Sequence, residues 1–91
     1  MFANGIPTQS SLLPWREIDG RAVIIQPRQG EVHELDTVGT FIWTRVNGSR
    51  SVAEIASELM ESFEVDLSQA ETDVREFLAV LAGKDLITWG P

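Results

Sequence analysis

The sequence predicts an α+β domain in which a three-stranded antiparallel sheet precedes three α-helices. Three observations carry that reading. Short β-branched or aromatic runs separated by turn residues fill positions 15–35, the apolar spacing turns helical from residue 36, and helix-capping residues open the later segments. Strands followed by helices, rather than alternating with them, imply helices gathered beside a small sheet. At 91 residues the chain is one domain, expected over 15–91. Residues 1–14 read as a flexible arm, because Asn4, Gly5, Pro7, Thr8, Gln9, Ser10, Ser11 and Pro14 interrupt any period.

Trp15–Ile18 and Arg21–Gln26 form the first hairpin. Asp19-Gly20 between them accepts positive φ at both turn positions, as a two-residue hairpin loop requires. Pro27-Arg28-Gln29-Gly30 makes the second turn and Glu31–Leu35 the third strand, which lies at the edge of the meander. With this register apolar side chains fall on both sheet faces: Trp15, Ala22, Ile24 and Leu35 on one, Ile18, Val23, Ile25 and Val32 on the other. Either set can meet the helices.

Asp36 is a suitable N-cap for a helix over Thr37–Val46, which Asn47-Gly48 can end in a left-handed cap. Ser51-x-x-Glu54 is a capping box opening Val52–Phe63, where Val52, Ile55, Ala56, Leu59 and Phe63 share one face. Ser68-x-x-Glu71 reads as a second capping box, opening a helix to about Ala82 that Gly83 stops, and Leu86–Trp89 is a short apolar finish. The last helix has more apolar surface than one core contact needs. Ala70, Val74, Phe77, Leu78, Val80, Leu81 and Ala82 span about 200° of the wheel at 100° per residue, where a stripe of roughly 100° suffices. The surplus can line a groove or pack against Leu86, Ile87 and Trp89.

Composition excludes several function classes. Without Cys there is no disulfide, thiolate metal site or cysteine nucleophile. The longest apolar run, Phe77–Ala82, has six residues, against roughly 20 for a membrane span. The first fourteen residues hold no Lys or Arg and no continuous apolar stretch, unlike a secretory signal, so a cytoplasmic protein is expected. The single His33 has no ligand-spaced partners, no phosphate loop or nucleophile motif is present, and Glu31 and Glu34 fall on opposite faces of a strand. No catalysis, metal or cofactor is expected.

Net charge is −7, and residues 51–91 carry all of it, with nine acids against Arg75 and Lys84. Two capped helices beside a hairpin resemble a winged helix-turn-helix, so a nucleic-acid-binding regulator is the alternative reading. Its recognition helix would show phosphates Glu71, Asp73 and Glu76 against Arg75, which opposes binding. Peptide capture suits the chain better. The edge strand Glu31–Leu35 contains no Pro or Lys to block pairing, so an extended peptide could join it as a fourth strand.

The run Gly30-x-Val32-His33-x-Leu35-Asp36-x-Val38-Gly39-x-x-Ile42-Trp43 is similar to the signature of the PqqD family. The similarity continues through Val46-Asn47-Gly48, Ser51-Val52-x-Glu54-Ile55-Ala56, Asp73-Val74-x-x-Phe77-Leu78 and Leu81-x-x-x-x-Leu86-Ile87, covering roughly Trp15 to Ile87. Asp36 stands where that family usually has Asn, and both residues cap helices. The resemblance implies a non-catalytic recognition element for ribosomally made, modified peptides, as in PQQ biosynthesis. Such a protein binds a precursor's leader region and presents it to a modifying enzyme, often a radical SAM protein, with no nucleic-acid or membrane partner. It further implies that the leader pairs with Glu31, Val32, His33, Glu34 and Leu35, facing Asp73, Val74, Phe77, Leu78 and Leu81. Arg75 would meet either an acidic leader residue or Glu71 one turn away. Ile42, Trp43, Ile55 and Leu59 are expected in the core.

Overall fold

A computed structural model describes residues 5–11 and 13–90. The order is β1 (Ile6–Gln9), β2 (Trp15–Ile18), β3 (Arg21–Gln26), β4 (Glu31–Glu34), α1 (Thr37–Arg45), α2 (Val52–Ser62), α3 (Leu67–Gly83) and β5 (Ile87–Gly90). The expected meander is present as an antiparallel sheet in the order β2-β3-β4. Asp19 and Gly20 both take positive φ, 54° and 79°, so the two-residue turn forms as its sequence requires. Register pairs Ile24 with Trp15 on one side and with His33 on the other. Ala22 and Ile24 are buried while Ile18, Ile25 and Val32 are exposed, so the Trp15, Ala22, Ile24, Leu35 face meets the helices.

The expected arm is corrected in part. Residues 6–9 form β1, antiparallel to β5, pairing Ile6 with Gly90 and Gln9 with Ile87. Residues 1–4 lie outside the described residues. β1 is also tied to the α1–α2 connection: Gln9 N donates to Val46 O, Gly48 N to Pro7 O, and Gln9 Nε2 to Trp43 O. These bonds join residues far apart in sequence, Gln9 and Trp43 being 34 positions apart, so local turn propensity had no means of revealing them. They also change the end of α1. The helix stops at Arg45, and Val46 is a cap at φ −87° rather than a helical residue. Gly48 is left-handed at φ +84°, yet its N–H turns to β1 instead of back to α1.

The capping box on α2 forms in both directions: Glu54 N donates to Ser51 Oγ at 3.2 Å and Ser51 N to Glu54 Oε1 at 2.8 Å. The one expected at Ser68 does not. Asp66 caps α3, accepting from Gln69 N at 2.8 Å, and Ser68 lies inside the first turn. A carboxylate at the positive end of a helix competes better than a hydroxyl two residues later. Gly83 is the last helical residue rather than the stop. Asp85 instead takes the left-handed position at φ 62°, with Leu86 N donating to Leu81 O and Asp85 N to Ala82 O, a Schellman ending. That reversal aims the chain into β5.

The core joins Ala22 and Ile24 of the sheet to Ile42 and Trp43 of α1 with its cap Val46, Ile55 and Leu59 of α2, and Val74, Leu78 and Leu81 of α3. Trp43 is fully buried and edge-on to Trp15 at 5.9 Å, and its Nε1 has no hydrogen-bond partner among the described residues. No helix of the described residues is long and apolar enough to cross a membrane. A polar cluster fastens α1 to α2: Glu58 accepts from Arg45 Nε at 2.9 Å and Arg50 Nε at 2.7 Å, while the Arg45 guanidinium sits 3.5 Å above the Phe41 ring.

Two predictions follow from these contacts. Ala22 N, at the end of the sheet, donates to buried Thr40 Oγ1 at 2.7 Å, so α1 completes the ladder where β4 stops. Thr40→Val leaves that N–H unsatisfied and should lower urea-measured stability by about 1–3 kcal/mol. An unchanged midpoint would mean the bond contributes nothing. The Arg50 hydrogen bond, above all, holds the Glu58 carboxyl below its ordinary 4.5. A depressed carboxylate stabilises the fold above its unfolded value and loses that contribution as pH falls through the folded value. The stability gap between the parent and Glu58→Gln should therefore be widest near neutral pH and close below about 4.5. A gap independent of pH would remove the charge from the account.

Candidate peptide-binding cleft

β4 has only one neighbour, β3, among the described strands, so its other side is an open edge. The ladder determines which groups that edge presents. Leu35 N donates to Ala22 O, so by antiparallel alternation Leu35, His33 and Glu31 turn their backbone groups to β3. Val32 and Glu34 turn theirs outward. The Val32 side chain is 65% exposed on the outer sheet face.

Beside this edge lies α3, and the space between them is a cleft. Its larger compartment, about 570 Å³, is bounded by Glu34, Leu35 and Asp36 on one wall and Asp73, Glu76, Phe77 and Val80 on the other. Val38, Gly39 and Ile42 of α1 close it, with Arg21 at the rim. A second compartment of about 300 Å³ continues past Phe77 and Val80 to Leu81, Lys84 and Leu86. Val80 is 53% exposed, so the apolar surplus of the last helix does face a groove.

The walls are held at defined points. Phe77 lies over Gly39, where an added Cβ would come within 3.0 Å of the ring. At one end Arg21 Nε donates to Leu35 O and its Nη1 pairs with Glu34 Oε2 at 3.5 Å. At the other, the buried Gln26 amide donates from Nε2 to Lys84 O at 2.9 Å, which leaves its Oε1 as acceptor for His33 Nε2 at 2.7 Å. That arrangement requires a proton on His33 Nε2. Asp36 caps α1 through Gly39 N at 2.7 Å, the role expected of it.

The expected site residues divide accordingly. Val32 and Glu34 carry the open edge, Leu35 and His33 form the inner wall, and Asp73, Phe77 and Leu81 line the helix side. Glu31 stands at the start of the strand, 3.4 Å from His33 Nε2 through its carboxylate. Val74 and Leu78 are fully buried in the core and line neither compartment. Arg75 is exposed and does not line either compartment, and it forms no ion pair with Glu71 among the described residues. Gly39, Glu76, Val80, Gln26 and Lys84 stand at the cleft without having been among the expected peptide-binding residues, although Val80 belongs to the apolar surplus of the last helix. Glu76 and Val80 share the Asp73–Phe77 stripe at spacings of three and four, a signal that was available.

The profile of coenzyme PQQ synthesis protein D (PqqD) matches residues 15–87, taking in the three-stranded sheet, all three helices and the beginning of β5. The chain belongs to the PqqD family. A PqqA binding protein of Xanthomonas oryzae pv. oryzae strain PXO99A is 38% identical over 65 residues, 71% of this chain and 68% of that protein. One from Xanthomonas campestris pv. campestris strain B100 is 38% identical over the same length. Among solved structures, TbiB1 in complex with the TbiA(beta) leader peptide superposes with a TM-score of 0.81 at 30% identity, covering 88% of this chain and 93% of its own. The NMR structure of the PqqD truncation of Methylobacterium extorquens PqqCD, described as a functional and stand-alone RiPP recognition element, shares the fold. Its TM-score is 0.74 at 24% identity, over 90% of this chain and 87% of its own. The family match thus spans the β2–β4 sheet and the three helices, and β1 with β5 forms a second small sheet.

The Gly39 contact is open to direct test. Gly39→Ala should displace the Phe77 ring into the cleft, moving its aromatic NMR signals while the Ile55 and Leu59 methyls stay in place. Global stability should change by less than about 1 kcal/mol, since the helix-propensity gain of alanine offsets the crowding. Unmoved Phe77 signals would show that the ring does not rest on Gly39.

Proposed function

We propose that this chain is a non-catalytic recognition element that takes up the leader of a ribosomally made precursor peptide as an added strand and presents it to a modifying enzyme. The observation that carries the reading is the open edge of Val32 and Glu34 lying beside an exposed apolar stripe of α3. The family supports it: relatives carry the name PqqA binding protein, and TbiB1 has been solved with a leader peptide. Enzymes of the radical SAM class are the partners such an element serves. Its place is the cytoplasm, where ribosomal peptides are made.

Energetics are compatible with this role. The N–H and C=O of Val32 and Glu34 offer four backbone hydrogen bonds, together worth roughly 2–6 kcal/mol net. Each apolar side chain seated on Phe77, Val80 or Leu35 adds about 1.5–3 kcal/mol. Ordering the peptide backbone costs on the order of 1–2 kcal/mol per residue, so micromolar binding, near −8 kcal/mol, depends on two or three filled pockets. Backbone pairing alone is insufficient.

Val32→Pro is the decisive variant. The Val32 N–H faces the open edge rather than β3, so proline removes no bond of the existing sheet and is tolerated at such a position. The domain should remain folded by amide NMR. Affinity for the short precursor peptide encoded beside the gene should fall by roughly tenfold or more, from the lost hydrogen bond and the ring's bulk. A folded variant that binds the peptide as well as the parent would end the edge-strand reading.

A further inference from the structure

We infer that the cleft selects an extended peptide carrying a Lys or Arg two residues away from an apolar anchor. The inference rests on the peptide-groove reading above and adds the chemistry of the occupant. The two compartments share Glu34, Leu35, Phe77 and Val80, so they are neighbouring pockets of one groove. Along α3 the larger one reaches Asp73 and Glu76, and the smaller one reaches Leu81 and Lys84. With Phe77 and Val80 common to both, each α3 lining residue of the larger has a counterpart in the smaller one four positions on: Asp73 and Phe77, Glu76 and Val80, Phe77 and Leu81, Val80 and Lys84. The offset is about 6 Å at roughly 1.5 Å per residue. Side chains on one face of an extended strand recur about every 6.6–6.8 Å. Consecutive inward-facing residues of an added strand therefore reach the two compartments in turn.

The compartments differ in charge. The larger is lined by four carboxylates, Glu34, Asp36, Asp73 and Glu76, and by one cation, Arg21. Arg21 is already engaged by Glu34 and the Leu35 carbonyl, leaving a net charge of −3 from four acids and one base. Asp36 and Asp73 each accept one local hydrogen bond, from Gly39 N and Gln69 Nε2, and each has a second carboxylate oxygen left to accept another. Glu76 has no ion pair among the described residues. The smaller compartment brings no carboxylate beyond the shared Glu34, holds Lys84 and His33, and is otherwise apolar, with Phe77, Val80, Leu81 and Leu86 as its surface. An acidic pocket next to a mainly apolar one complements a cationic side chain next to an aliphatic or aromatic one. The long apolar stem of Lys or Arg also suits Phe77 and Val80 beneath its charge.

The test selects displayed random dodecapeptides against the folded chain at low salt, then measures synthetic copies of the enriched sequences by fluorescence anisotropy. Enriched peptides should carry Lys or Arg two positions from Leu, Ile, Val, Met or Phe. Replacing the cation by Gln should weaken binding about three- to tenfold. That loss should largely disappear in high salt and in the Asp73→Asn, Glu76→Gln double variant. Peptides that lose affinity with Val32→Pro and shift the Val32 and Glu34 amides, yet show no cation preference, would overturn the charge inference and leave the groove intact. Enriched peptides indifferent to Val32→Pro would overturn both.

Discussion

The buried amide of Gln26 joins three elements at one point, donating to the Lys84 carbonyl at the end of α3 and accepting from His33 on β4. An amide buried without partners would cost several kcal/mol, so sheet and helix end are held in the one arrangement that satisfies it. The Schellman ending at Asp85 fixes where the Lys84 carbonyl points, and the Gly39–Phe77 contact sets the wall farther along α3. The chain's own contacts thus hold both walls of the space between β4 and α3. A cleft formed in advance spares a ligand the cost of shaping it.

An open strand edge is an aggregation hazard unless something opposes self-pairing. In β4 that role falls to its length of four residues and to the glutamates at its two ends. Two copies pairing edge to edge would bring carboxylates together, which is unfavourable across a sheet. A cationic peptide meets the same charges as attraction. The acidic bias of residues 51–91 thus acts locally through Asp73 and Glu76, which stand on the wall facing the edge.

Legibility in the sequence followed the range of the interaction. The β2–β4 meander, the Asp19-Gly20 turn, the Asp36 cap and the Ser51–Glu54 box are local, and each forms as read. Ser68 shows the limit of a local rule, since the motif was present but Asp66 offered α3 a stronger cap two residues earlier. β1 was illegible for a different reason. Pro7 and its polar neighbours resemble a loop until β5, some eighty residues later, supplies the partner strand. Of the residues expected at the site, Val74 and Leu78 are buried in the core instead of lining the cleft. An apolar arc of about 200° contains both a core face and a cleft face, and spacing alone does not divide them.

The sequence by itself determined the order of the β2–β4 meander and the three helices, the family, and the strand that lies at the sheet's edge, because these depend on turns, caps and short-range patterning. Only the tertiary structure decided which face of the sheet is buried. Ala22 and Ile24 pack under Ile42 and Trp43 while Ile18, Ile25 and Val32 remain in solvent, though both sets are apolar. It also decided that Val32 and Glu34 present the open edge, and that Phe77 and Val80 face it while Val74 and Leu78 do not. Hydrophobicity is non-directional and states only that apolar surface is to be covered. Direction came from the hydrogen bonds, whose geometry admits one register for the sheet and one position for the helix beside it.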